Sequence, residues 1–221
     1  MGFLQQLVLL APPILFAVTI HEFSHGYVAD RLGDPTARMA GRLTLNPLAH
    51  LDPIGTLMFF LIHIGWAKPV PVNPYNLRNP KSDMFWISLA GPGSNMLAAL
   101  GLGIIIRYAG INPVQVLQGI GTSLTAVVLQ FIIVYGMIIN LVLAGFNLIP
   151  LPPLDGSKIL MGILPPAQAA KFARIERYGP LILMGLLMAG WVLHIPTLTL
   201  WIGPYVNLFV YLFTGYSVKV F

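Results

Sequence analysis

The chain of 221 residues is 57% hydrophobic and only 9% charged, with a mean hydropathy of +0.80. A soluble domain carries about 25% charged residues, so this composition excludes a soluble protein and predicts an all-α polytopic protein of the lipid bilayer. The net charge of +5 does not indicate nucleic-acid binding, because the basic residues are scattered between apolar runs. Cysteine is absent, so nitrogen and oxygen must hold any metal.

Long apolar runs predict about five to six transmembrane helices within one intramembrane domain that covers residues 1–221. The first run has neither the basic flank nor the small-residue cleavage site of a signal peptide, so we expect it to be retained. The runs lie at residues 7–28, 85–106, 125–149, 181–200 and, more weakly, 202–213.

Residues 54–66 form a shorter apolar stretch, which as a helix would measure about 20 Å against a hydrocarbon core of about 30 Å. The stretch therefore predicts a re-entrant segment after the first helix. Residues 66–74 follow it, and their alternating prolines forbid a helix and predict a short extended strand.

The basic residues predict the orientation of the chain. If residues 54–66 are re-entrant, every lysine and arginine except Arg107 falls on one membrane face. By the positive-inside rule this face is cytoplasmic, which places the N-terminus outside the cell membrane. Residues 165–178 are predicted to form a basic helix on the cytoplasmic surface.

The segment His21-Glu22-Phe23-Ser24-His25 lies within the first apolar run. Residues four apart share a helix face, so His21 and His25 can bind one zinc ion while Glu22 projects beside them as a base. The segment would lie about 8 to 14 Å below the membrane surface. A buried glutamate there costs on the order of 3 kcal/mol, which favours a functional site over polar contacts between helices.

A catalytic zinc site needs a third protein ligand, and Asp155 is the best candidate. It follows the third long run in a proline-rich Asp-Gly turn, and the predicted topology brings it to the same membrane face as the histidines. A plain turn-forming aspartate is the alternative. The weaker candidate ligands are His63, His50 and His194, since a lone histidine near an interface is more often a hydrogen-bonded filler.

Asparagines in the third apolar run are the remaining polar candidates. An intramembrane asparagine usually joins helices, which is the interpretation for Asn140. Asn147 could instead donate a hydrogen bond to a developing oxyanion. Residues 90–95, Ala-Gly-Pro-Gly-Ser-Asn, lack the context of a phosphate loop and predict close helix packing.

These motifs resemble those of the site-2 protease family of intramembrane zinc metalloproteases. The resemblance covers roughly residues 7–160. Its two main motifs are HEFSH and Asn-x-x-Pro-x-Pro-x-Leu-Asp-Gly at residues 147–156. Three further segments resemble small prokaryotic members, at residues 41–47, 65–72 and 90–95. It implies one zinc ion bound by His21, His25 and Asp155, with Glu22 as the base and a membrane-spanning protein as the substrate. Many relatives carry a PDZ or CBS domain, for which we expect no room here.

The motifs together predict peptide-bond hydrolysis inside the bilayer, with a substrate helix that unwinds by pairing with residues 69–73. The alternative from another class is a non-catalytic metal-binding membrane protein, either a carrier or a scaffold. Glu22 argues against a scaffold, because a site that only holds zinc needs no buried base. A second intramembrane ligand cluster, which a carrier would use to pass the ion along, is not evident in the sequence.

Overall fold

The computed structural model describes residues 3–62, 65–120, 124–192, 197–218 and 220. Within these ranges the backbone forms ten α-helices and no strand, which confirms the predicted all-α class. The helices are α1 (Phe3–Arg31), α2 (Thr36–Met39), α3 (Pro53–Ile62), α4 (Pro80–Tyr108), α5 (Pro113–Leu117), α6 (Leu124–Asn147), α7 (Asp155–Ile163), α8 (Pro166–Glu176), α9 (Gly179–Val192) and α10 (Thr197–Thr214).

Three of the described helices are long and apolar enough to cross a membrane. The candidate spans are Val8–Arg31, Pro80–Tyr108 and Val128–Asn147, which lie in α1, α4 and α6. Two shorter apolar helices follow, at Gly179–Gly190 and Thr199–Thr214. The lengths and composition of the three long helices are those of a membrane protein. The total of about five to six spans stays a prediction.

Helix α4 lies at the centre of the bundle and packs against α1, α6, α7 and α10. Small residues let the backbones approach closely, as is typical of helices that associate in lipid. Gly103 faces Phe213, and Gly145 faces the ring of Tyr205, where an added Cβ would lie within 2.6 Å and 2.8 Å of the opposing side chains. Met137 of α6 is fully buried between these helices. The contacts of α4 with α1 and α7 bring these three helices together around one site.

The chain between α1 and α4 differs in part from the prediction. Helix α3 is only 10 residues long, shorter than a span, but a re-entrant path for it stays a prediction. The expected strand is reduced to one isolated antiparallel bridge between Leu51 and Ala67, next to a 2.9 Å hydrogen bond from the Lys68 N–H to the His50 carbonyl. Prolines along residues 69–74 lack N–H donors, so a ladder cannot continue past this bridge.

Helix α8 occupies most of the predicted basic surface segment. None of its residues is buried, and its last turn carries Arg174. The structure therefore agrees with a helix that lies on the surface of the bundle.

Candidate metal centre

The two histidines and the aspartate singled out from the sequence meet at one point. The Nε2 atoms of His21 and His25 are 3.0 Å apart. The Oδ2 atom of Asp155 lies 3.1 Å from the first and 3.2 Å from the second. His21 is 5% exposed, so the cluster is largely removed from solvent. Three ligand atoms at this spacing can hold one metal ion.

Local structure explains how the three side chains converge. His21 and His25 project from consecutive turns of α1, and their rings pack edge to face with centroids 4.6 Å apart. Asp155 is the first residue of α7, which begins directly after the proline-rich turn that follows α6. Gly156 allows this turn, because a Cβ at that position would overlap the carbonyl oxygens of Leu148 and Ile149.

The hydrogen bonds of the imidazole rings test whether a metal fits. The Nδ1 atom of His25 lies 2.7 Å from the carbonyl oxygen of Ile87, which can only accept, so Nδ1 carries the proton. The Nδ1 atom of His21 lies 2.7 Å from Oδ1 of Asn95. Both Nε2 lone pairs then face each other and the Asp155 carboxylate, an arrangement that a bound cation makes favourable. The donor set of two nitrogens and one oxygen fits zinc.

Gly91 brings the backbone of α4 against the two rings. A Cβ at this position would overlap Nε2 of His25 and would lie 2.7 Å from Cε1 of His21. The close helix packing predicted for residues 90–95 is therefore confirmed at Gly91. The residue leaves the space that the ligand atoms occupy.

Glu22 lies beside the cluster, in a cavity of about 170 Å³ that also contains the three ligand side chains, Asn147 and Lys158. Its Oε2 atom accepts a 2.9 Å hydrogen bond from the backbone N–H of Val70. The apolar wall of the cavity includes Val70, Val72, Met84 and Ile87. The cavity therefore combines a carboxylate, the metal ligands and an apolar surface.

Two buried charged residues hold the chain that contacts Glu22, which we call the 65–73 segment. The guanidinium of Arg42, 7% exposed, donates to the carbonyl oxygens of Lys68 at 2.6 Å and Pro69 at 3.3 Å. The fully buried carboxylate of Asp34 accepts a 2.6 Å hydrogen bond from the N–H of Asn73. One ionic group thus holds the middle of the segment and another holds its end.

The Asp34 carboxylate also receives hydrogen bonds from Thr36 and from the side-chain amide of Asn76. Burial by itself would raise the pKa of Asp34. The hydrogen bonds from Thr36, Asn76 and the Asn73 N–H outweigh it and lower the pKa below its usual value.

The side chains of Asn140 and Asn147 form different hydrogen bonds, one between helices and one within a helix. Asn140 accepts a 2.8 Å hydrogen bond from Asn95 across α4 and α6, which confirms that it joins helices. Asn147 lines the cavity, and its amide donates a 3.0 Å hydrogen bond to the Leu143 carbonyl of its own helix.

The other histidines do not add to the cluster within the described residues. His50 is fully buried and bonds through Nε2 to the Thr44 carbonyl at 2.8 Å, so it acts as a hydrogen-bonded filler. His63 and His194 lie outside the residues that the structure describes.

Sequence reasoning missed three residues around the site. Asn95 contacts a metal-ligand candidate, and Arg42 and Asp34 hold the 65–73 segment. The family resemblance had included residues 41–47 and 90–95, which contain Arg42 and Asn95, but the sequence assigned no partner to either residue or to Asp34.

Comparisons with known proteins agree with this geometry. Residues 9–190 match the model of peptidase family M50. YwhC of Bacillus subtilis is 40% identical over 172 residues, which cover 77% of this chain and 76% of YwhC. Rip2 of Mycobacterium tuberculosis is 28% identical over 193 residues, 85% of this chain and 67% of Rip2. Both relatives carry names that describe zinc metalloproteases, and no solved structure matches the chain. The chain therefore belongs to peptidase family M50, the site-2 protease family.

Proposed function

We propose that this protein is an intramembrane zinc metalloprotease that hydrolyses peptide bonds within or near the transmembrane helices of membrane-protein substrates. The observation that carries the proposal is the meeting of His21, His25 and Asp155 within 3.2 Å, beside the Glu22 carboxylate in one cavity. Membership of peptidase family M50 supports the same activity.

We assign one zinc ion to His21, His25 and Asp155. These residues offer one ligand atom each, which suits a catalytic site that keeps a position open for water or substrate. When bound, zinc would polarise the scissile carbonyl and lower the pKa of a water to about 7. In the part of the chain that the structure describes, this is the one group with metal-ligand spacing, so no observation favours the alternative of a metal carrier.

Glu22 is the proposed general base. Its carboxylate lines the same cavity as the ligands, where it would take a proton from the attacking water and later deliver it to the leaving amine. The hydrogen bond to Val70 uses Oε2, so we assign the proton transfer to Oε1.

Asn147 is the proposed donor to the oxyanion that develops during attack. The amide nitrogen carries two hydrogens, and the bond to the Leu143 carbonyl uses one of them. We expect Asn147→Leu to lower kcat by about 10²- to 10³-fold, the usual effect of losing one oxyanion donor, while the zinc content stays the same.

The 65–73 segment is the proposed docking surface for the unwound substrate. A substrate helix hides its carbonyls in internal hydrogen bonds, so it must open before attack. The segment lies beside Glu22, and Val70 and Val72 add apolar side chains to the cavity wall. The prolines on either side of Val70 lack an N–H and the Val70 N–H donates to Glu22, so Val72 supplies the backbone donor that we assign to pairing with a substrate.

The proposed orientation in the cell membrane has the site towards the cytoplasm and the N-terminus outside, within a single domain over residues 1–221. About five to six spans would include the shorter apolar helices in α9 and α10. The exposed basic helix α8 supports a cytoplasmic position for that end of the bundle.

The test uses purified protein in liposomes with a transmembrane reporter substrate. Glu22→Gln should retain zinc and lose cleavage by at least about 100-fold, because it removes the general base. The matched control is Glu176→Gln, an exposed glutamate at the end of α8, which should cleave at the wild-type rate.

Two results would contradict the proposal. Retained cleavage by Glu22→Gln would exclude Glu22 as the base. Undiminished zinc binding in both His21→Ala and Asp155→Ala would exclude the proposed ligand set. Zinc binding by the wild-type protein without any cleavage would instead support the non-catalytic alternative.

A further inference from the structure

A chain of buried hydrogen bonds leads away from His21 into the centre of the bundle. Oδ1 of Asn95 lies 2.7 Å from Nδ1 of His21. The amide nitrogen of Asn95 donates to the Ala17 carbonyl at 3.0 Å and to Oδ1 of Asn140 at 2.8 Å. The amide nitrogen of Asn140 donates to the Gly136 carbonyl at 2.8 Å. Both asparagines are fully buried, so the hydrogen bonds of their side-chain amides are made to these protein groups and not to bulk water.

The two backbone carbonyls determine the direction of every bond in this chain. A carbonyl can only accept, so the Gly136 oxygen faces the Asn140 NH₂ group and turns Oδ1 of Asn140 towards Asn95. Oδ1 of Asn140 and the carbonyl oxygen of Ala17 can both only accept, and the Asn95 NH₂ group donates to each of them. Oδ1 of Asn95 is then left facing His21, whose Nδ1 must donate.

The opposite orientation of the Asn95 amide is unfavourable for two reasons. Its Oδ1 would face the Ala17 carbonyl and Oδ1 of Asn140, which places oxygen against oxygen. Its NH₂ group would face Nδ1 of His21 and favour the tautomer protonated on Nε2. That tautomer has no lone pair on the nitrogen that points at Asp155, so it could not bind a metal there.

We propose that Asn95 is a positioning residue that holds His21 in its Nδ1-protonated tautomer, and that Asn140 keeps the Asn95 amide in the orientation this requires. The inference rests on the proposed zinc site. His25 needs no such relay, because the Ile87 carbonyl accepts directly from its Nδ1. The two histidines thus reach the same tautomer by different means, one through the backbone and one through two side chains on α4 and α6.

The first experiment measures the zinc dissociation constant by chelator competition on the full-length protein in detergent. Asn95→Leu should weaken zinc binding by about 10- to 100-fold, as expected for loss of a partner of a metal-binding histidine. Asn140→Leu should weaken it by a smaller factor, about 10-fold or less, because it acts one side chain farther away. Asn140→Asp should keep nearly the wild-type zinc affinity, since the protonated acid can still donate to the Gly136 carbonyl and accept from Asn95.

The matched control is Ser94→Ala. The Ser94 hydroxyl donates to the Gly91 carbonyl at 2.7 Å and lies 3.3 Å from the Ile20 carbonyl, so it also links α4 to α1, and its hydrogen bonds among the described residues involve neither histidine ring. The control should bind zinc like the wild-type protein. Equal losses in Ser94→Ala and Asn95→Leu, or no loss in Asn95→Leu, would overturn the positioning role.

A second measurement decides the point even if a leucine variant fails to fold. The ring ¹⁵N chemical shifts of His21 in metal-free wild-type protein, recorded at a pH of about 8 where a free imidazole is neutral, report the tautomer. The signal is assigned as the one that His21→Ala loses. A protonated Nδ1 supports the proposal whatever the state of Nε2, and an unprotonated Nδ1 overturns it. A wild-type protein that binds zinc but does not cleave the reporter would overturn the proposed function alone, because neither readout depends on cleavage.

Discussion

The backbone N–H of Val70 donates a 2.9 Å hydrogen bond to the carboxylate of Glu22, which joins the 65–73 segment to the proposed base. The segment is in turn held by the buried charges of Arg42 and Asp34. The surroundings of Glu22 therefore depend on residues that lie outside the transmembrane helices. This dependence separates the proposed metal ligands from the residues that hold the proposed docking segment for the substrate.

Arg42→Gln should lower kcat/KM without removing zinc. The substitution removes charged donors to the Lys68 and Pro69 carbonyls, which releases the backbone next to the Val70 N–H. We expect a loss of about tenfold or more, which corresponds to about 1.4 kcal/mol of transition-state stabilisation. Reporter cleavage and zinc content, measured on the same preparation, check this outcome.

The control for Arg42 is Arg38→Gln. Arg38 pairs with Asp30, but its side chain is 63% exposed, so its loss should leave cleavage nearly unchanged. If Arg42→Gln lost zinc together with activity, the segment would be supporting the metal ligands and not the substrate side of the site.

Gly91→Ala should strongly weaken zinc binding while the bundle still forms. The new methyl group would overlap Nε2 of His25, the atom proposed to bind zinc, and would crowd the ring of His21. We expect the zinc affinity to fall by about 100-fold or more, at or beyond the upper end of effects seen for indirect changes to a metal site. Chelator competition measures the affinity, and circular dichroism in detergent checks the helix content.

Gly93→Ala is a close control, because an added Cβ at Gly93 meets nothing within 4 Å. It lies in the same helix and changes helix propensity by the same amount. Equal zinc affinities for the two alanine variants would show that the packing at Gly91 does not matter for the site.

Asp34 should make the stability of the protein sensitive to acid. Because hydrogen bonds lower the pKa of Asp34 in the folded state, its contribution is present at neutral pH. The contribution declines as the pH falls below the ordinary value of 3.8 towards the lower folded pKa. Asp34→Asn should be less stable at pH 7 by about 1 to 3 kcal/mol, because an amide cannot accept from all the donors around it.

Unfolding in mixed detergent micelles, followed from neutral to acidic pH, checks this prediction. The stability difference between wild type and Asp34→Asn should shrink as the pH falls through that range. Glu176→Gln serves as the exposed-acid control and should not change the profile. A difference that stays constant with pH would mean that the charge of Asp34 is not involved.

The sequence by itself determined the features that depend on local spacing and on bulk solvation. The four-residue interval between His21 and His25 places them on one helix face whatever the rest of the fold does. Apolar runs of the length of α1, α4 and α6 can bury their backbones in lipid, so hydropathy located them. The motif at residues 147–156 also pointed to Asp155, because its three closely spaced prolines favour the end of a helix and the Asp-Gly pair favours a turn.

Tertiary structure alone decided which distant groups complete the site. Nothing in the local sequence of Asn95 states that its amide faces His21, because that contact joins residues from different helices and depends on how α4 packs against α1. The same holds for Arg42, whose partners are backbone carbonyls that no pattern of side chains reveals. Buried polar groups must find partners, but the packing of the bundle chooses them.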